Sequence, residues 1–186
     1  MENSKNYIKN AATPNKSYLQ FGVFYGVIMI FLAVVIYTMN IDLVQDRVIG
    51  TSNSILGYVF LPVLFIYLGC VSFKKNNFGY ISFVECLKVG VGVIFVGAII
   101  FGLFNIVFYY MFPDNLENLV SQTRQMMLKD NPSLTTSQLE MTTSMMRKFS
   151  APAFAFPLTL AMLTFFGFLY SLFVGLVVKK DNPAGI

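Results

Sequence analysis

Four unbroken apolar stretches, at about 19–39, 55–73, 83–112 and 151–178, leave this chain few ways to fold. A domain folded in water spreads its apolar residues at a period of 2 or 3.6, so that one face stays wet. These blocks are apolar all round. About 20 such residues, each rising ~1.5 Å, cover the ~30 Å hydrocarbon core of a bilayer. In hydrocarbon the backbone N–H and C=O groups have no water to bond, so a single segment must satisfy its own, which selects the helix. The expected class is therefore all-α, an integral membrane four-helix bundle. Composition agrees: 56% of the residues are hydrophobic and 12% charged, against about 25% charged in a soluble domain.

The whole chain, 1–186, reads as a single membrane domain with tails at 1–18 and 179–186. The first apolar block follows a polar lead and ends in Tyr37-Thr38-Met39-Asn40, which is no small-residue cleavage site, so an uncleaved first helix is expected. Pro62 interrupts the second span, and Pro152 and Pro157 open the fourth. A proline frees a helix carbonyl, which neighbouring helices can satisfy in a membrane. The third and fourth blocks overrun one bilayer thickness.

Lys5, Lys9, Lys16, Lys74, Lys75, Lys88, Lys179 and Lys180 fall on one side of this topology, eight cations in all. Arg47, Arg124, Lys129, Arg147 and Lys148, five in all, fall on the other, with Asp42 and Asp46 beside Arg47. The positive-inside rule then places both termini in the cytoplasm. On a membrane protein the net charge of +4 reflects this bias, and no nucleic-acid partner is expected. The bilayer is the expected partner, with other membrane proteins or self-association beside it.

Residues 113–150 form the one sizeable stretch outside the bilayer. Leu116, Leu119, Val120, Thr123 and Met127 recur at helical spacing, which predicts an amphipathic helix. Asp130-Asn131-Pro132-Ser133 reads as a turn. Ser137 and Glu140 have capping-box spacing, predicting a second helix through Met141, Met145 and Phe149. An extracytoplasmic helical hairpin results.

Three stretches carry a likeness to a known group: Gly79-Tyr80-Ile81-Ser82-Phe83-Val84-Glu85, the Met145-Met146-Arg147-Lys148-Phe149 end of the insert, and Tyr170-Ser171-Leu172 followed by Lys179-Lys180. In these the chain resembles the bacterial four-helix membrane proteins of domain-of-unknown-function family 4199. The resemblance implies the four-span architecture, a Gram-negative inner-membrane location and no established activity. It implies no catalytic or binding residue.

Candidate residues are few. Ser82, Glu85 and Lys88 form a polar cluster at the start of the third span. Charges at the hydrocarbon boundary are functional candidates, and at i and i+3 the carboxylate and ammonium can meet on one helix face. The plainer reading is a capping box of Ser82 and Glu85, with Lys88 snorkelling to the interface. Asn105 is the one amide deep in a span, suited to an interhelical hydrogen bond or to a pore or substrate contact. Pro62 and Pro157 could mark broken helices around a transport site, although isolated prolines are common in membrane helices.

Small residues recur every four positions at Gly22 and Gly26, at Ala98 and Gly102, and at Gly167, Ser171 and Gly175. Such stripes let helix backbones approach closely, within one chain or between chains. Met126, Met127, Met141, Met145 and Met146 could offer thioethers to a soft metal, but read more simply as a flexible hairpin core. Cys70 and Cys86 match no zinc spacing and are expected as free thiols filling helix faces at the reducing cytoplasmic edge.

There is no His, the commonest general base and metal ligand. No nucleophile elbow, phosphate-binding loop, HExxH or facing carboxylate pair occurs either. No cofactor and no enzymatic activity are expected. The leading expectation is an accessory or scaffold protein that binds other membrane components. The alternative is a small oligomeric transporter or channel with a site near Asn105 and Glu85.

Overall fold

The structure, a computed structural model, describes residues 14–41, 43–44 and 46–182. Lys5, Lys9 and Asp42, used above for orientation, lie outside the described residues. The fold is an all-α membrane bundle whose four long apolar helical segments are each able to cross a bilayer. Helix α1 is Pro14–Thr38. The second segment opens with α2, Arg47–Ile55, runs through a π-helical turn at Leu56–Phe60, and continues as α3, Leu61–Asn76. Helix α4 is Phe83–Met111, α5 Pro113–Asp130, α6 Thr136–Ser150 and α7 Pro152–Val178.

The second segment starts earlier than the expected 55–73. The carboxylate of Asp46 accepts from the amides of Val48 at 3.1 Å and Ile49 at 3.0 Å, satisfying the exposed donors of a new helix. The two and a half turns it opens, RVIGTSNSI, are too polar for hydropathy to register. They extend the spanning helix beyond the apolar block.

Helix α4 is the axis of the bundle, with α1 along one side, α7 along another and α3 between them. The small residues explain the closeness. A methyl at Gly22 would lie 2.7 Å from Val96 Cβ, and one at Gly26 2.9 Å from Ile100 Cβ. One at Gly167 would sit 2.7 Å from Ile94 Cβ, and Gly102 faces the Phe156 ring. Gly175 abuts Phe83 and Cys86, and Ala98 and Ser171 are buried. The stripes of α1, α4 and α7 thus meet within one chain.

Pro62 has no N–H, so the Tyr58 carbonyl one turn earlier loses its helical donor. The Tyr170 hydroxyl on α7 donates to that carbonyl instead, at 3.1 Å. This is the neighbour compensation that makes proline tolerable in a membrane helix. The π turn lies directly before the proline, as local unwinding commonly does.

Two expectations require correction. Cys70 and Cys86 are not free thiols: they form a disulfide between α3 and α4, buried from solvent, with Cα atoms 5.4 Å apart. Helices α3 and α4 are neighbours joined by a six-residue turn, 77–82, which folds the chain back so that Cys70, seven residues before it, lies beside Cys86, four after it. The cap of α6 is also displaced, from Ser137–Glu140 to Thr135–Gln138. There the Thr135 hydroxyl accepts from the Gln138 amide at 3.3 Å, and the Gln138 side chain accepts from the Thr135 amide at 3.0 Å. Both pairs fit the pattern. The earlier one lengthens the helix and puts Leu139 and Thr143 on its buried side.

Candidate functional site

The two ends of the bundle differ in chemistry. At the lysine-rich end, Gly79 adopts a left-handed φ of +83°, which favours glycine. Its amide donates to the Lys74 carbonyl at 2.8 Å, closing off α3. Ile81 then pairs with Lys180 in an antiparallel bridge, with N–H to O distances of 3.0 and 2.9 Å. Lys74 Nζ donates to the Val178 carbonyl at 2.7 Å, where the negative end of the α7 dipole favours a cation. The Lys180 ammonium sits 5.5 Å from the centre of the Tyr80 ring. Two of the stretches that carry the family likeness therefore meet at this end.

Ser82 and Glu85 make a reciprocal capping box here. The Glu85 carboxylate accepts from the Ser82 amide and hydroxyl, both at 2.8 Å, while the Glu85 amide donates to Ser82 Oγ at 3.3 Å. Glu85 and Lys88 do not meet as an ion pair. Lys88 is exposed and borders a shallow groove with Tyr18, Gly92, Phe95 and Phe168. One carboxylate oxygen, Oε2, is engaged by the helix start.

At the opposite end a cavity of about 980 Å³ opens between α1, the π turn, α4 and α5. Its inner wall is apolar, from Met29, Leu32, Ala33 and Ile36 on α1 and Phe101, Phe104 and Phe108 on α4. The Tyr37 ring holds these helices together, 5.0 Å from Phe108 and 4.9 Å from Phe112 by ring centres. The rim is polar. Six carboxamides line it: Asn40, Asn53, Asn105, Asn115, Asn118 and Gln122.

Asn105 sits where the two walls change character. Its amide donates to its own helix, to the Phe101 carbonyl at 2.8 Å, and makes none of the interhelical bonds expected of it. A polar group on a helix that bonds its own preceding turn remains open to the space in front of it. The side chains of Asn53, Asn115, Asn118 and Gln122 have no hydrogen-bond partner among the described residues. Asn115, Asn118 and Gln122 fall at i, i+3 and i+7 on α5. That spacing was present in the sequence but masked by the apolar series 116, 119, 120, 123 and 127.

Helix α5 roofs the cavity and is held by exposed contacts. Arg147 of α6 grips Glu117 with two hydrogen bonds, 3.0 and 2.7 Å. Arg47, at the start of α2, pairs with Asp130 at the far end of α5. The Arg147 guanidinium holds the Glu117 carboxyl below the ordinary carboxylate range. Met126, Met127 and Met146 are half-buried in the hairpin, whereas Met141 and Met145 are exposed, so a shared methionine core is only partly formed.

Asn105 and Glu85 do not form one site. They are 20 residues apart on α4, which at ~1.5 Å per residue is about 30 Å. Between them the bundle is closed by Tyr25, Ile66, Val89, Val93 and Ile94, all fully buried.

Residues 20–180, which take in the lysine-rich knot, the cavity and the hairpin, match the family model described as "Protein of unknown function (DUF4199)". The chain belongs to the DUF4199 family. No curated protein and no solved structure matches it. The cavity at the hairpin end of this DUF4199 protein is its principal candidate functional site.

Proposed function

We propose that this protein is a non-enzymatic, multi-pass protein of a bacterial inner membrane, with both termini cytoplasmic, that binds another membrane component in the cavity beneath α5. The observation that carries the reading is the cavity itself: it reaches Asn105 and has an apolar wall and a carboxamide rim. Binding sites of this size are typically apolar with a few convergent polar groups. The lysine bias supports the orientation, and the hairpin and cavity then face away from the cytoplasm. A transporter or channel would need a path from Asn105 toward Glu85, and the sealed core between them counts against one within a single chain.

A photo-crosslinking amino acid at Phe104, on the cavity wall, tests the reading in intact membranes. The same residue at Val177, which is 80% exposed on α7, samples bulk lipid. Phe104 should capture one reproducible species that Val177 does not. Identical adduct profiles at the two positions would sink the proposal. Orientation is tested apart from this, by a cysteine at Ser121 that should react with an impermeant maleimide from outside the cell.

A further inference from the structure

The lining of the cavity narrows the chemistry of what it holds, granted that it is a binding site. Among the described residues no charged side chain lines it. An anionic head group would call for Arg or Lys donors; the nearby Arg47 and Arg147 are instead committed to Asp130 and Glu117. A carboxamide both donates and accepts, and so does a hydroxyl group. Several carboxamides around one space therefore match a head group rich in hydroxyls better than any ion. The polar and apolar parts of the lining are also segregated. The carboxamides of α5 lie at the roof, and Leu32, Ile36, Phe101 and Phe104 lie deeper along the spans.

We infer that the cavity accommodates a neutral, hydroxyl-rich amphiphile, a glycolipid-like molecule. Its head lies against Asn105, Asn115, Asn118 and Gln122, and its chain runs between α1 and α4. Phe104, Phe108 and Tyr58 provide faces on which a sugar's apolar C–H surface can rest, while the tail meets Met29 and Ile36. The volume, about 980 Å³, is at the upper end of the range for small-molecule sites, about 300–1,000 Å³, and leaves room for both parts.

The test uses the full-length protein in nanodiscs of phosphatidylcholine and phosphatidylglycerol, with four probes that share one diazirine-bearing dodecyl chain. The heads are β-glucoside, phosphocholine, phosphate and trimethylammonium. The glucoside probe should label peptides of α1 and α4 saturably, at least about fivefold above the other three, as expected from a few hydrogen bonds of ordinary strength. The double variant Asn105→Leu/Asn118→Leu should lower the glucoside advantage about tenfold while leaving chain-dependent labelling in place. Asn118→Leu alone, on an exposed helix outside the bundle, should show part of that loss and guards against misfolding of the double variant. Equal saturable labelling by all four heads would overturn the head-group assignment and leave the binding reading standing. Preference for a charged head would overturn it too. No saturable labelling by any probe would overturn both.

Discussion

The two ends of this bundle are built from the same helices by opposite means. At the lysine-rich end, backbone pairs with backbone, a lysine caps a helix, a glutamate closes a capping box and a disulfide joins two helices. At the hairpin end the rim carboxamides are open, and the covering helix is fastened by exposed ion pairs. Exposed pairs of this kind contribute little. The contrast is one of construction: one end is closed by its own bonds, and the other leaves polar groups open around a cavity.

The contrast can be broken most directly by overfilling each half. Gly97 is pressed against the Tyr25 ring and lies 3.1 Å from the Gly22 carbonyl as measured from an added methyl. Gly97→Leu should cost about 3 kcal/mol or more in unfolding measured in mixed micelles. Ala33→Leu, on the cavity wall, should change stability by less than about 1 kcal/mol. Similar losses at both would mean that the cavity wall is as tightly packed as the middle of the bundle.

The disulfide gives the next largest effect. Its sulfurs are buried and 16 residues apart in sequence. No thiol should react with maleimide until reductant and denaturant are both present, and Cys70→Ala/Cys86→Ala should destabilise by up to about 3 kcal/mol for a loop of this size. A freely alkylated native cysteine would remove the covalent part of the comparison.

Two tyrosine substitutions sharpen it further. Tyr170→Phe removes the donor to the Tyr58 carbonyl and should cost about 1 kcal/mol. Tyr25→Phe removes a buried hydroxyl that has no partner, and stability should hold or rise slightly, since nothing is left unsatisfied. The same calorimetric or denaturant assay reads both, and equal losses would contradict these assignments. At the capping box, Glu85→Ala should cost about 1 kcal/mol, whereas Glu85→Gln keeps the acceptor and should cost far less.

The smallest effect is at the hairpin. Because Arg147 lowers the Glu117 carboxyl relative to its unfolded value, the pair contributes above the ordinary carboxylate range and is lost as pH falls through the lowered one. The opening of α5, read from hydrogen-exchange protection factors that remove the intrinsic pH dependence of amide exchange, should therefore be flat around neutrality and rise only in acid or at high salt. Arg147→Ala should raise it at neutral pH without altering exchange in α4.

Hydropathy made the spans legible because lipid-facing helices cannot hide their composition. The capping box of Ser82 and Glu85 was legible because three-residue spacing fixes its geometry. The disulfide was hidden behind chemistry: the positions of Cys70 and Cys86 about their turn allowed it, while the expected compartment argued for thiols. The cavity escaped notice because its rim comes from four separate segments. Only the α5 amides share a spacing that a sequence could display. The α2 extension was lost to hydropathy because it is polar, although Asp46 announces its start.

The Tyr58–Tyr170 bond sets a timetable for assembly. The acceptor emerges 112 residues before its donor. At about 5–20 residues per second, synthesis leaves roughly 6–22 s before the Tyr170 hydroxyl is available to the proline-freed carbonyl. Until the last helix arrives, the second span lacks this bond to the Tyr58 carbonyl. Truncation before Tyr170 should therefore leave a membrane-inserted intermediate prone to degradation, with the second span lacking one of its bonds.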